Sequence, residues 1–363
     1  MEYSLRPSIG WLFAFIPIAA CLEVTHAPPP LVFFAAALAI IPIARMIVQA
    51  TERIALRTGD AIGGLLNATF GNAPELIIAL AALRSGYLDL VRASLIGAIL
   101  ANLLLTLGVS FLLGGLRYHD QRFNPLAART YSTMMLLAAV SLGVPSAFSR
   151  YFAPEGTIRP EQELNIAIAA VLLVAYGLYL LFSLKTHPGS FKSVEVASSG
   201  ENAGAEGTVG RAFGSLIIAS AGAAWMSEIL VGAAEGTGEA LGMSQTFVGI
   251  VLVAVVGGAA EAGSAVAMAR KNKVDLTIGI ALRSSIQIAL FVAPVLVLAS
   301  YFIAPQPLEL AFSRAEVGSL FLGVLLGAIV CGDGQSNWYK GVQLLTVYAI
   351  IALMFYFVPE LSN

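Results

Sequence analysis

Two glutamates stand alone in apolar sequence. Glu75 lies in NATFGNAPELIIALAAL, residues 67–83, where the nearest charges on either side are Asp60 and Arg84. Glu261 lies in the similar stretch VVGGAAEAGSAVAMAR, residues 255–270. A charge at the middle of a bilayer costs roughly 2.5–3.5 kcal/mol even on a lenient insertion scale. It persists where it faces a wet cavity and is neutralised by a proton or a cation. The residues before each glutamate suit a cation. Pro74 has no N–H, so the Phe70 carbonyl is expected to lose its helical donor, and Gly71 loosens the same turn. Gly257 and Gly258 can loosen the second helix without proline. Freed carbonyls and the Asn72 amide are oxygen ligands, and a hard cation such as calcium takes about six to eight oxygens. Two carboxylates also balance one divalent charge. Glu75 and Glu261 are therefore the candidate metal ligands. Protons compete for the same carboxylates, so binding the metal releases protons and protonation releases the metal. The plain alternative is that each glutamate only hydrogen-bonds a neighbouring helix.

The rest of the chain is built to hold such a site inside a membrane. Of its 363 residues, 58% are hydrophobic and 12% charged, with a mean hydropathy of +0.83. Soluble domains run nearer ~25% charged. Runs of about 20 apolar residues recur throughout, the signature of membrane-crossing helices. The net charge of -2 and the lack of basic runs argue against nucleic acid. No nucleophile–base pair or phosphate-binding loop points to an enzyme. Cys21 and Cys331 lie in apolar stretches with no CxxC spacing, and His26, His119 and His187 lie far apart, so neither a redox pair nor a zinc site is expected. No cofactor is expected; calcium enters only as a transported ion.

The pattern predicts an all-α, polytopic membrane protein with about eleven helices: 9–26, 30–49, 61–84, 89–114, 131–150, 163–184, 212–234, 244–270, 275–302, 315–331 and 338–358. The first is read as a membrane helix rather than a cleaved leader, although IAAC before Cys21 resembles a cleavage site. Residues 185–211 are rich in Gly, Ser and Glu and read as a flexible loop. Assigning loops to alternate sides leaves Arg84, Arg92, Arg150, Arg159 and Arg314 on one side and nearly all other Lys and Arg residues on the other. That places the N-terminus in the cytoplasm. Arg283 belongs to neither side.

Sliding the chain against itself by 186 residues brings Gly71 onto Gly257, Ala73 onto Ala259, Glu75 onto Glu261, Arg84 onto Arg270 and Asp89 onto Asp275. The two glutamate helices are the third and eighth spans, an odd number of steps apart, so they cross the membrane in opposite directions. The expected plan is a leading helix (1–29), a first repeat (30–184), the loop (185–211) and a second, inverted repeat (212–363). Secondary transporters built this way bind substrate at mid-membrane between interrupted helices.

GGLLNATFGNAPELI resembles the first signature of the cation/proton exchangers, the calcium/proton antiporters of the calcium–cation antiporter superfamily. WMSEILVGAAEGTGEALGMSQTFVGIVLVAVVG resembles the approach to the second signature, and KNKVDLTIGIALRSSIQIALFVAPVLVL the helix after it. The resemblance covers nearly the whole chain. It implies ten core helices in two inverted halves plus a leading helix, and export of calcium against protons across a cell's inner, or plasma, membrane. It also implies roles for Glu75, Glu261, Asn72, Gln287 and Glu228 in binding cations and protons, with Asn102 keeping its place on the fourth helix.

The chain departs from that family in its second half. Gly258 and Ala262 stand where the family's GNAAEH has asparagine and histidine, and Arg283-Ser284-Ser285 replaces Gly-Ser-Ser. Arg283 could face the ion site and modulate its charge, pair with Glu228, or sit in a wetted cytoplasmic cavity. Glu228 is read as embedded, in a gating or pathway role. Glu235 and Glu239 could gather cations or form a solvated helix end. Asn67, Ser284 and Ser285 could tie helices together. An exchanger for sodium, potassium or manganese, or a non-transporting relative, are the competing readings. The oligomeric state is not legible.

Overall fold

In the computed structural model, residues 9–58, 66, 69–151, 158–187 and 209–358 are described. After a 3₁₀ turn at Ile9–Ala14 come α1 (Phe15–Val24), α2 (Pro29–Thr58), α3 (Ala73–Arg84), α4 (Leu88–Tyr118), α5 (Pro125–Tyr151) and α6 (Ile158–Leu181). The second half holds α7 (Val209–Gly232), α8 (Ala234–Leu241), α9 (Gln245–Gly257), α10 (Ala259–Ala269), α11 (Val274–Ile303), α12 (Arg314–Cys331) and α13 (Trp338–Phe357). Asn67 and most of the expected central loop fall outside the described residues.

Helix is found at all eleven expected positions, but fewer segments have spanning length. Among the described residues, eight helices are long and apolar enough to cross a membrane. They become nine when α9 and α10, bent by 59° at Gly258, are taken as one span. One expected span falls short. The first apolar helix covers only Gly10–Val24. Much of the first part of the expected span 61–84 lies outside the described residues; within them the chain turns at Gly71 and Asn72 and α3 follows with 12 residues. α2 exceeds its expected end at 49: Thr51 and Thr58 bond back to the Ile47 and Ile54 carbonyls, and the helix carries its charged tail to Thr58.

The repeat is visible in the backbone as well as in the residues. α3 and α10 start at matched positions, Ala73 and Ala259, each after a break; α4 and α11 start at Leu88 and Val274. Each of the long helices then widens into a π-helical turn at the same place, Ala101–Thr106 and Ile288–Val292. Such turns shift the register of the following helix and recur at functional sites. The halves meet through buried apolar side chains, with Ile96, Ile99, Leu100 and Leu103 from the first and Val253, Ile286, Leu290 and Leu296 from the second. Where α4 meets α9 no side chain fits: a Cβ on Gly97 would lie 2.3 Å from the Ile250 carbonyl oxygen. Small residues permit such close approaches between membrane helices.

At one end of the bundle, strands β1 (Asp120–Arg122) and β2 (Gln335–Asn337) pair antiparallel and join the loop after α4 to the loop after α12. Gln121 adds donations from Nε2 to the Ala269 carbonyl and to Asn272 Oδ1, each 2.9 Å, so the same loop also grips the α10–α11 turn. Lys340 closes the corner. Its ammonium donates to both Asp333 oxygens at 2.6 and 2.7 Å, to the Val330 carbonyl and to the Gln335 carbonyl. Partial burial pushes the Asp333 carboxyl up, but the Lys340 hydrogen bond and the Gln335 amide outweigh it and hold the group below its ordinary value. A carboxylate with a depressed folded-state pKa stabilises the fold above its unfolded pKa and loses that contribution as pH falls through the folded one. Lys340→Met should therefore lower the melting temperature of the purified protein at pH 7. The gap to the parent should narrow as pH falls below about 4, the ordinary aspartate value, leaving what the bonds to the Val330 and Gln335 carbonyls contribute. A gap that is the same at both pH values would remove the pair from the account.

Candidate functional site

The GNAPE stretch interrupts helix, as the sequence suggested: Thr69 and Phe70 are helical, the chain turns at Gly71–Asn72, and α3 begins at Ala73. Asn72 is the residue before α3, Pro74 lies in the first turn, and the missing N–H there leaves no internal bond unmade. The break sits at Gly71–Asn72 rather than at the proline. GGAAE does the same for α10, with Gly258 before the helix. Glu75 and Glu261 are each the third residue of their helices. Both carboxylates thus lie in a first turn, where free backbone N–H groups and the helix dipole favour negative charge.

Each glutamate is half-buried, and the Oε2 atom of each is buried without a hydrogen-bond partner. The two lie close enough for the charge on Glu75 to act on Glu261. Gly257 leaves the gap that admits Glu75: a Cβ there would lie 3.0 Å from Glu75 Cγ. A Cβ on Gly258 would lie 3.8 Å from Glu75 Oε1 and 3.9 Å from Asn102 Oδ1, so those two oxygens flank the second break together. The absence of an asparagine at 258 therefore leaves room, not a clash. A cavity lined by Ile78, Ala79, Ser94, Leu95, Val253 and Ala254 reaches Glu75. Ile78 and Ala79 follow Glu75 along α3, so the cavity comes from the side on which α3 ends.

The amides are held by one hydroxyl. Ser284 Oγ donates to Asn72 Oδ1 at 2.9 Å and accepts from Asn102 Nδ2 at 2.9 Å. Asn72 Nδ2 donates to the Ser284 carbonyl at 3.0 Å. Asn72, Asn102 and Ser284 are 1%, 3% and 4% exposed. This triad bolts the α3 break and α4 to α11, across the two repeats. Of the residues offered as helix ties, Ser284 does that work, while Ser285 bonds only the Ala281 carbonyl of its own helix. Ser284→Ala would strand a buried amide donor and a buried acceptor, at a cost of about 1–3 kcal/mol each. The expected result is a melting temperature several degrees lower and roughly tenfold weaker cation binding, read by thermal unfolding and calorimetric titration.

Gln287 is buried on α11, and its Nε2 has no partner. Glu228 is elsewhere. Its side chain is 57% exposed and pairs with Arg84 at 3.1 Å. The reason is the reach of Arg84, which stands at the end of α3 and extends to α7. The same pairing removes Glu228 as a partner for Arg283. Glu235 accepts from the Tyr87 hydroxyl at 3.3 Å, so it too has a fixed neighbour. Cys331 is buried and Cys21 exposed, and both are free thiols.

The arrangement joins two half-helices, each with a carboxylate in its first turn and an uncommitted buried oxygen, with amide oxygens beside them. It can bind a hard cation or protons. A family profile described as sodium/calcium exchanger protein matches residues 29–185 and again 211–357, one match to each half. The chain is 41% identical over 365 residues to a Ca(2+)/H(+) antiporter of Aphanothece halophytica, covering 97% of both chains. It is 39% identical to the Ca(2+)/H(+) antiporter ChaA of Bacillus subtilis, covering 94% of this chain and 97% of that one. The solved structure of native YfkE superposes with a TM-score of 0.82 at 36% identity, over 97% of this chain and all of that one. The crystal structure of the H+/Ca2+ exchanger CAX shares the fold, with a TM-score of 0.68 at 13% identity over 96% of this chain and 91% of that one. The protein is an integral membrane protein, and the chain belongs to the sodium/calcium exchanger protein family.

Proposed function

We propose that the protein is a secondary antiporter that exchanges calcium for protons by alternating access, with Glu75 and Glu261 shared between the two ions. The observation that carries this is the symmetric pair of broken helices, each offering a first-turn glutamate with an unpartnered buried oxygen. Relatives at 41% and 39% identity are named as Ca2+/H+ antiporters. With both glutamates ionised, one divalent ion neutralises the pair; with both protonated, the pair is neutral without it. Asn72 and Asn102 lend amide oxygens, Gly257 and Gly258 keep the second break open, and Gln287 borders the site. Glu228, paired with Arg84 and exposed, belongs to the access route rather than to the site.

The lysine and arginine bias supports an N-terminus in the cytoplasm, and we read the membrane as a cell's plasma membrane. In that orientation the cavity beside Glu75 opens away from the cytoplasm, and the β1–β2 clamp lies on the cytoplasmic face. The apolar helix Gly10–Val24 stands outside the two repeats. Inverted membrane vesicles test the reading. An acid interior should drive uptake of labelled calcium, and a protonophore should abolish it. Uptake that ignores the pH gradient would refute proton coupling.

A further inference from the structure

Arg283 breaks the symmetry of the site. Its counterpart in the first repeat is Gly97, packed against the Ile250 backbone. Arg283 lies one residue before Ser284, the hydroxyl that holds Asn72 and Asn102. It also lies four residues before Gln287, so Arg283 and Gln287 share a helix face. It is half-buried and belongs to none of the described ion pairs. Its charge reaches Glu261 on α10, which packs along α11, and Tyr176 on α6, whose ring lies 5.5 Å from that of Phe291.

A guanidinium keeps its proton at every working pH. Among the described residues no carboxylate at ion-pair distance cancels this one, and the acidic charge it acts on is that of Glu261 in the ion site. We propose that Arg283 is a tethered cation that determines which ions the glutamate pair accepts. Coulomb energy scales with the product of the charges. The same arginine therefore opposes a divalent ion at Glu75 and Glu261 about twice as strongly as a monovalent one, in free energy. The first repeat has no such group, so the second repeat alone tunes selectivity. The inference rests on the reading of Glu75 and Glu261 as the cation ligands.

The test is equilibrium binding to the purified full chain in detergent at constant ionic strength. Calcium chloride is titrated directly, and sodium chloride is used as competitor, for the parent, Arg283→Gln and Arg283→Lys. Removing the charge should tighten calcium about tenfold and sodium about threefold, the square root of that factor. Arg283→Lys keeps the charge and should stay within about twofold of the parent. A merely structural arginine would move both ions by one factor, or neither, and either result overturns the proposal. So does a lysine variant that behaves like glutamine. Should Arg283→Gln fail to fold, Arg283→Gly, which restores the residue of the first repeat, reads the same ratio. A parent that binds no calcium removes the glutamate site and this inference together. A parent that binds calcium with an unchanged calcium-to-sodium ratio in the variants removes only the inference.

Discussion

Replacing either Glu75 or Glu261 with glutamine is expected to cut proton-driven calcium flux by roughly 100-fold or more, because each removes half the charge that a divalent ion needs. Glutamine keeps the shape and an amide oxygen, so the fold should survive. The two substitutions should not add. A single loss already leaves the pair unable to balance the ion, so the double variant should be no worse than either single one. Labelled calcium uptake into proteoliposomes, beside a thermal melt of each variant, reads both statements. A variant that melts like the parent and still exchanges at a tenth of its rate or better would remove that glutamate from the site. The sign of the accompanying pH effect follows from shared ligands. Because protons compete with the metal, apparent calcium affinity of the parent should rise with pH until both carboxylates are free.

Gly97→Val is expected to prevent folding altogether. The smallest added side chain would place Cβ 2.3 Å from the Ile250 carbonyl oxygen and 2.5 Å from its Cα. Those are backbone atoms of a neighbouring helix, so no rotamer change relieves the clash. α4 and α9 would have to separate, and the residues around them, Ile96, Ile99 and Ile250, are fully or almost fully buried. Overpacking in a tight core typically costs about 1–3 kcal/mol when side chains can yield; here they cannot. Gly177 is the internal control, since a Cβ there meets nothing within 4 Å. Gly177→Val should yield folded protein by gel filtration, and Gly97→Val should not. Equal yields would mean that the close approach of α4 and α9 is not needed.

The glutamates and their matching breaks were legible because the chemistry is local. A lone charge in apolar sequence and the small residues beside it can be read in a dozen residues, and the offset of 186 residues marks the pair twice. The role of Pro74 was not legible in the same way. A proline permits a helix start and disturbs a helix interior alike, and only the backbone shows that α3 begins at Ala73. Partners distant in sequence were hidden for a different reason. Asn72 and Ser284 are 212 residues apart, and Arg84 and Glu228 are 144 apart. Their meeting depends on how helices cross, and hydrophobic pattern does not encode it. Hence Glu228 read as an embedded site residue, although an arginine at the end of α3 claims it. The π-helical turns at Ala101–Thr106 and Ile288–Val292 left no signal in residue type. β1 and β2 are three residues each, too short for alternation to mark them.

The central claim is that two carboxylates from opposite repeats hold one ion. Equilibrium calcium binding to purified protein at fixed pH tests it most directly, by counting ions per chain in the parent and in the Glu75→Gln and Glu261→Gln variants. One calcium per parent chain, protons released as it binds, and none retained at matched concentration by either variant is the predicted result. Calcium still bound at the parent's affinity by either variant, or two independent ions per parent chain, would contradict it.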